Sequence, residues 1–303
     1  GSFIACSRMD PKKDTVLLID PGFPIQKSQL AVLGINHVQF DIYDYRGEKL
    51  RAKMEEYMSQ GNICAVIYSN PNNPAWISLT EDELRTVGEL ATKYGAVALE
   101  DLAYFGMDFR TDFSRPFEPP YIPTVARYTD NYILLLSSSK IFSYAGQRAA
   151  VICISDALYG RKIDAFAGRY PGGGLFGPTL TAGILYMITS GITHSTQYGY
   201  AAMLKAASDG QLDFVKDVSV YAERSRKMKE LFEKHGFHVV YDRDPGGPVS
   251  DGFFFTIGYG ELSCGELVSE LLHYGISSIS LSTTGSLQRG VRACSSRMED
   301  SMY

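Results

Sequence analysis

Residues 63–104 read ICAVIYSNPNNPAWISLTEDELRTVGELATKYGAVALEDLAY, and this stretch decides the fold class. It holds two short, continuous apolar runs, 65–68 and 96–99, of the kind expected from strands covered on both faces. Between them the spacing predicts a helix over 80–94. Thr80 can cap it and Glu83, three residues on, completes a capping box. Leu84, Val87, Leu90 and Ala91 form its apolar stripe, and Gly95 stops it. Strand, helix, strand in one span implies a crossover unit and parallel pairing.

The pattern extends in both directions. Runs at 16–19, 132–136 and 149–154 read as further strands, and 26–34 and 47–59 as helices. The expectation is an α/β fold: a mainly parallel sheet with helices on both faces. A glycine-rich PGGGLFGP (171–178) reads as a flexible loop before a helix over 179–190, which Thr179 can cap. From about residue 211 the character changes. One long charged helix is expected over 213–235, then strand-like pieces at 239–241 and 252–257 and a helix over 264–274. We therefore divide the chain into a large domain, 1–210, and a smaller α+β domain, 211–303.

A length of 303 residues suits that division. The net charge of −5 gives no electrostatic footprint for nucleic acid. Cys6, Cys64, Cys153, Cys264 and Cys294 are scattered, odd in number and never spaced CxxC. They read as reduced thiols in a cytoplasmic protein. No apolar stretch approaches the roughly 18 residues of a membrane span, and the start lacks a signal-peptide layout. The five histidines show no ligand spacing, so no metal is expected.

In open α/β sheets the site lies beyond the carboxyl ends of the strands. The unusual polar residues of this chain fall there. Ser69-Asn70-Pro71-Asn72-Asn73-Pro74 follows one strand and Asp101-Leu102-Ala103-Tyr104 the next. Ser137-Ser138-Ser139-Lys140 follows a third, and Arg148 opens the last. Taken singly, NPNNP reads as a turn, Asp101 as a helix cap, Lys140 as a solvated lysine, and Phe23 in DPGFP as core or as a ring stacker.

In combination the set resembles the class I/II aminotransferases, fold type I enzymes dependent on pyridoxal 5'-phosphate. NPNNP at 70–74 matches the family's Asn-Pro motif, and Asp101 with Tyr104 its Asp-x-x-Tyr. Ser137, Ser139 and Lys140 match its Ser-x-Ser-Lys, and Arg148 the phosphate-binding arginine eight residues later. Gly290-Val291-Arg292 resembles the segment that carries the carboxylate-binding arginine. The resemblance implies that Lys140 forms the cofactor aldimine and then serves as base for the α-proton. It implies Asp101 at the pyridine nitrogen, and Tyr104 and Asn73 at the ring's phenolate oxygen. Phe23 would stack on the ring, Ser137, Ser139 and Arg148 would hold the phosphate, and Arg292 the substrate carboxylate.

The implied activity is transfer of an amino group between an amino acid and a 2-oxo acid in a homodimer. The same constellation serves lyases, β-decarboxylases and synthases of the superfamily, and a non-catalytic regulator domain is a third reading. Two departures stand beside the cofactor's place. Where many members have Asn-Pro-Thr-Gly this chain has Asn73-Pro74-Ala75-Trp76, and Ala150 stands where many have glycine. The resemblance also implies an N-terminal segment, with a further phosphate-binding loop, ahead of the helix that begins near Phe3.

Overall fold

The computed structural model describes residues 1–298 and 301. Six strands form the main sheet: β1 (Thr15–Asp20), β2 (Asn36–Asp41), β3 (Ile63–Ser69), β4 (Val97–Leu102), β5 (Tyr132–Ser137) and β6 (Ala150–Ile154). Their order is β2-β1-β3-β4-β5-β6. All neighbours are parallel except β5 and β6, which run antiparallel. β1 and β3 are buried along their whole length.

Alternation sends successive side chains to opposite faces. Leu17 and Ile19 join a core with Leu50, Met54 and Met58 of helix α3 (Lys49–Met58) and Leu84, Val87 and Leu90 of α4 (Glu81–Tyr94). Val16 and Leu18 join the opposite core. There they meet Phe3 and Cys6 of α1 (Ser2–Ser7), Leu30 of α2 (Pro24–Leu33) and Phe176 and Leu180 further on. Helices thus cover both faces, as expected. The capping box of α4 is present, with Thr80 and Glu83 each bonding the other's backbone.

The structure departs from the sequence expectations at several places. β2 is an edge strand whose first residues, Asn36 and His37, are exposed, so it lacks the apolar run that marks the others. β6 is largely uncovered in this chain, unlike the buried strand its apolar run suggested. The long helix over 213–235 is two, Phe214–Val218 and Val220–Lys234. At the break the Ser219 hydroxyl donates to the Lys216 carbonyl, the local competition by which serine interrupts helices. Thr179 lies inside a helical run that starts at Phe176 and does not cap it. The helix His194–Ser208 was not anticipated, because only Thr196, Tyr200 and Ala207 are buried on it and no clear stripe results.

A second, antiparallel sheet contains β7 (Phe237–Val239), β10 (Phe254–Tyr259), β11 (Ile279–Ser280) and β12 (Val291–Cys294), ordered β11-β12-β10-β7. Between β7 and β10 comes a small hairpin, β8 (Arg243–Asp244) with β9 (Gly247–Pro248). The second sheet packs Phe255, Ile257 and Val291 against Met228 and against Leu267 and Leu271 of helix Cys264–His273.

Buried polar bonds dock this part on the first sheet. The Tyr241 hydroxyl donates to Asp41 at 2.6 Å, and the Leu287 amide to the same oxygen at 2.8 Å. Asp244 accepts from Arg46 at 2.9 Å and pairs with Arg110 at 2.9 Å, while Arg46 also pairs with Glu83 at 2.8 Å. The docking carries β12 across the carboxyl rim of β3 and β4, where its Arg292 reaches Asn73.

Candidate active site

The strand order reverses between β1 and β3, and such a switch point opens a crevice at the carboxyl ends. Two loops meet there. The Asn72 side-chain amide donates to the Pro21 carbonyl at 2.7 Å, and its carbonyl accepts from the Ala75 amide. Asn70 is likewise structural, bonding Leu79 and the buried Glu100. Of the three asparagines in the motif, Asn73 is the one turned to the site: its Oδ1 accepts from the Arg292 guanidinium at 2.9 Å.

On β4, Glu100 and Asp101 face opposite ways. Glu100 bonds the Val125 amide and Asn70, inside the protein, and burial pushes its carboxyl up to about 7. Asp101 lies on the rim. It accepts from the Ala103 amide at 3.1 Å and from the Gln26 side-chain amide at 3.2 Å. Burial pushes it up to about 6, against the lowering effect of those two donors. Gln26 is a residue that sequence reasoning missed. It sits one turn after Phe23, and that spacing on α2 was the available signal.

Tyr104 is buried against Trp76, Phe253 and Phe254 at ring distances of 5.3–5.8 Å. Burial raises its phenol well above the ordinary value, with the Arg292 charge opposing and Asp101 adding to the rise. Arg292 lies face-on over Phe254, its Cζ 4.0 Å from the ring centre.

β5 ends at Ser137, and the chain turns through Lys140 before β6 returns antiparallel from Ala150. That reversal places Arg148 on the same rim as Lys140; a parallel strand would have started at the opposite end. The Ser137 hydroxyl accepts from the Ser139 amide, and the Ser138 hydroxyl donates to the Ala149 carbonyl, which holds the turn. Lys140 is half-buried, its Nζ 5.0 Å from the centre of the Phe253 ring. Burial lowers its pKa; the charges of Arg292 and Arg148 push the same way and Cys294 opposes. Arg148 adopts left-handed backbone, φ 55°, and donates to its own loop at Ala145.

The structure therefore brings Asn73, Asp101, Tyr104, Lys140, Arg148 and Arg292 into one electrostatic neighbourhood. Phe23 is exposed at the start of α2, on the same rim, and has no ring contact with the others. Ser137 and Ser139 bond each other rather than any of the charged groups.

The model of the family "Aminotransferase class I and II" matches residues 1–302. The chain belongs to that family. Nicotianamine aminotransferase 1 of Oryza sativa subsp. japonica is 30% identical over 104 residues, 34% of this chain and 20% of that protein. Cystathionine beta-lyase PatB of Bacillus subtilis is 27% identical over 218 residues, 66% of this chain and 55% of that protein. The crystal structure of aspartate aminotransferase from Thermotoga maritima superposes with a TM-score of 0.73 at 18% identity, over 99% of this chain and 69% of that one. The fold is thus that of aspartate aminotransferase. The chain spans from about a fifth to just over half the length of these two curated relatives.

The family depends on pyridoxal phosphate, and the donor set fits it. Asp101 is a partly buried carboxylate whose two bonded partners, Ala103 and Gln26, are both uncharged, a setting that a pyridinium cation would complete. Lys140 offers an amine already biased toward its neutral form.

Proposed function

We propose that this chain supplies the core of an aminotransferase acting on an amino acid and a 2-oxo acid. The observation that carries the proposal is the Lys140 amine on one rim with Asp101 and Tyr104, its pKa lowered by burial beside Arg292 and Arg148. Bound pyridoxal phosphate supplies an electron sink for the charge left when a substrate's α-proton departs. The protein's own part is to anchor, to orient and to move protons. Lys140 would anchor the cofactor through Nζ and, as a base, carry the α-proton on the same atom. A lowered pKa suits that role, because a base must spend time unprotonated near neutral pH.

Asp101 would hold the ring nitrogen, Tyr104 with Asn73 the phenolic oxygen, and Phe23 would pack on a ring face. Ser137, Ser139 and Arg148 would hold the phosphate. Arg292, steadied by Asn73 and by the face of Phe254, grips the substrate carboxylate.

Sequence likeness to PatB, over 218 residues, favours one second reading: β-elimination by the same groups. A single-turnover mixture separates the two. Amino acids that convert the loaded protein to its pyridoxamine form support transamination; ammonia, pyruvate and thiol released from cystathionine, without that conversion, refute it.

We further assign cofactor binding to residues 1–210 and a smaller α+β unit to 211–303. Exposed Ile25, Val32, Met187 and Ile188 support a homodimer, which sedimentation checks. The five unpaired cysteines support a cytoplasmic setting. Among the described residues, no helix is long and apolar enough to cross a membrane.

A further inference from the structure

Trp76 stands where the family's Asn-Pro motif commonly ends in glycine, and the roles proposed above leave it unused. Its backbone is left-handed, φ 63°, a conformation that a bulky residue keeps only where its surroundings enforce it. Its indole is completely buried, and among the described residues the indole N–H has no hydrogen-bond partner. Both features are costly, and ordinary core filling requires neither.

The indole's neighbours indicate what the two costs secure. It meets Tyr104 edge-on at 5.3 Å and Phe254 edge-on at 6.2 Å. It lies so close to Gly252 that a Cβ there would overlap the ring. Phe254 in turn carries the Arg292 guanidinium on its face at 4.0 Å. Asn73, three residues earlier in the same turn, bonds that guanidinium directly at 2.9 Å. One tight turn therefore holds Arg292 twice, once by a hydrogen bond and once through edge-on ring contacts. The same indole backs the Tyr104 ring.

We infer that Trp76 is a positioning residue that fixes the spacing between the Tyr104 phenol and the Arg292 guanidinium. The inference rests on the roles proposed for those two residues and adds a third that touches neither cofactor nor substrate. The left-handed turn aims the indole inward, and Gly252 leaves the space it needs. A shift of the indole moves both groups together, so the carboxylate grip and the phenol's hydrogen bond are set as a unit.

Trp76 is the single tryptophan of the 303 residues, so tryptophan emission, corrected for energy transfer to the cofactor, reports on the surroundings of this one indole. The protein loaded with pyridoxal phosphate is titrated with propionate, a carboxylate that cannot react. Three readouts are followed: Trp76 emission, the propionate Kd, and the pH midpoint of the cofactor's visible absorbance. In the unaltered protein the emission changes with the same midpoint as propionate binding. Trp76→Phe and Gly252→Ala each weaken propionate about fivefold or more, the scale of coupling through packed neighbours. Both also move the absorbance midpoint.

Emission that stays flat while propionate binds overturns the inference. So do variants that lower thermal stability yet leave Kd and midpoint unchanged, as a merely structural tryptophan would. If Trp76→Phe does not fold, Gly252→Ala and the emission of the unaltered protein decide. Tyr104→Phe and Arg292→Leu serve as controls. If the first leaves the midpoint and the second leaves the Kd unchanged, the site assignment itself fails. If both controls respond and the Trp76 and Gly252 variants do not, the coupling through Trp76 fails alone.

Discussion

Replacing Asp101 by asparagine should make the cofactor-free protein more stable while removing its function. Asp101 titrates near 6 in the fold, about two units above the ordinary 3.8, because burial disfavours its charge. A raised carboxyl pKa means that the folded chain binds the proton more tightly than the unfolded chain. Stability then falls as pH rises from about 4 through 6, and the full penalty persists above that window. Two units amount to about 3 kcal/mol. The uncharged amide of Asp101→Asn avoids the penalty, but it offers one acceptor oxygen where the carboxylate bonds both Ala103 and Gln26, a loss of about 1 kcal/mol. The balance is a gain of about 2 kcal/mol at pH 8, falling to zero or below by pH 4. Asp20 and Glu100, also raised by burial, are unchanged in the variant and cancel in the difference. Urea unfolding of both cofactor-free proteins at pH 4.5, 6 and 8 measures it. A difference that does not vary with pH, or a wild type at least as stable at pH 8, refutes the reasoning. With cofactor bound the order should invert, since a ring cation offsets the carboxylate in the wild type alone.

Lys140→Ala should cut turnover by about 10²–10⁴-fold, and borohydride should no longer fix the cofactor to the peptide that spans residue 140. Arg292→Lys should raise KM about 10–100-fold, the worth of a charge-assisted bond that a lysine cannot make in two prongs, with kcat less affected. Asp244→Ala should lower stability by about 1–2 kcal/mol, read as a shift in the urea midpoint, because Arg46 and Arg110 each lose one of two carboxylate partners and keep Glu83 and Asp108.

Much of the first sheet was legible because its central strands are buried on both faces and so leave continuous apolar runs. Where covering is partial the signal weakens. β2, half exposed at the edge, reads as Asn-His-Val-Gln-Phe-Asp and was passed over. Most of the motif residues were legible because they sit at strands' carboxyl ends, Arg148 before β6 and Arg292 within β12 excepted, but side-chain direction was not. NPNNP offers three asparagines, and only the folded turn shows that Asn70 and Asn72 are spent on the loop while Asn73 faces Arg292. Gln26 was invisible for a related reason: an amide on a helix has no chemistry of its own until β4 places Asp101 within 3.2 Å.

The reversal of β6 is the least legible feature and the one on which the site most depends. A parallel strand would have put its opening residue, and Arg148 with it, at the amino edge, a whole strand length from Lys140. Short connections favour antiparallel pairing, and twelve residues, 138–149, link the end of β5 at Ser137 to the start of β6 at Ala150. About twelve residues are the least a crossover needs; here they hold one short 3-10 turn and no α-helix, and the Ser138 amide and hydroxyl both donate to the Ala149 carbonyl, which closes the loop so that the strand returns beside β5. Lys140 and Arg148 then share one loop above Ser137, and the charge of Arg148 adds to burial in lowering the Lys140 pKa. The antiparallel return of β6, more than any single motif, brings the Arg148 guanidinium and the Lys140 amine to the same rim.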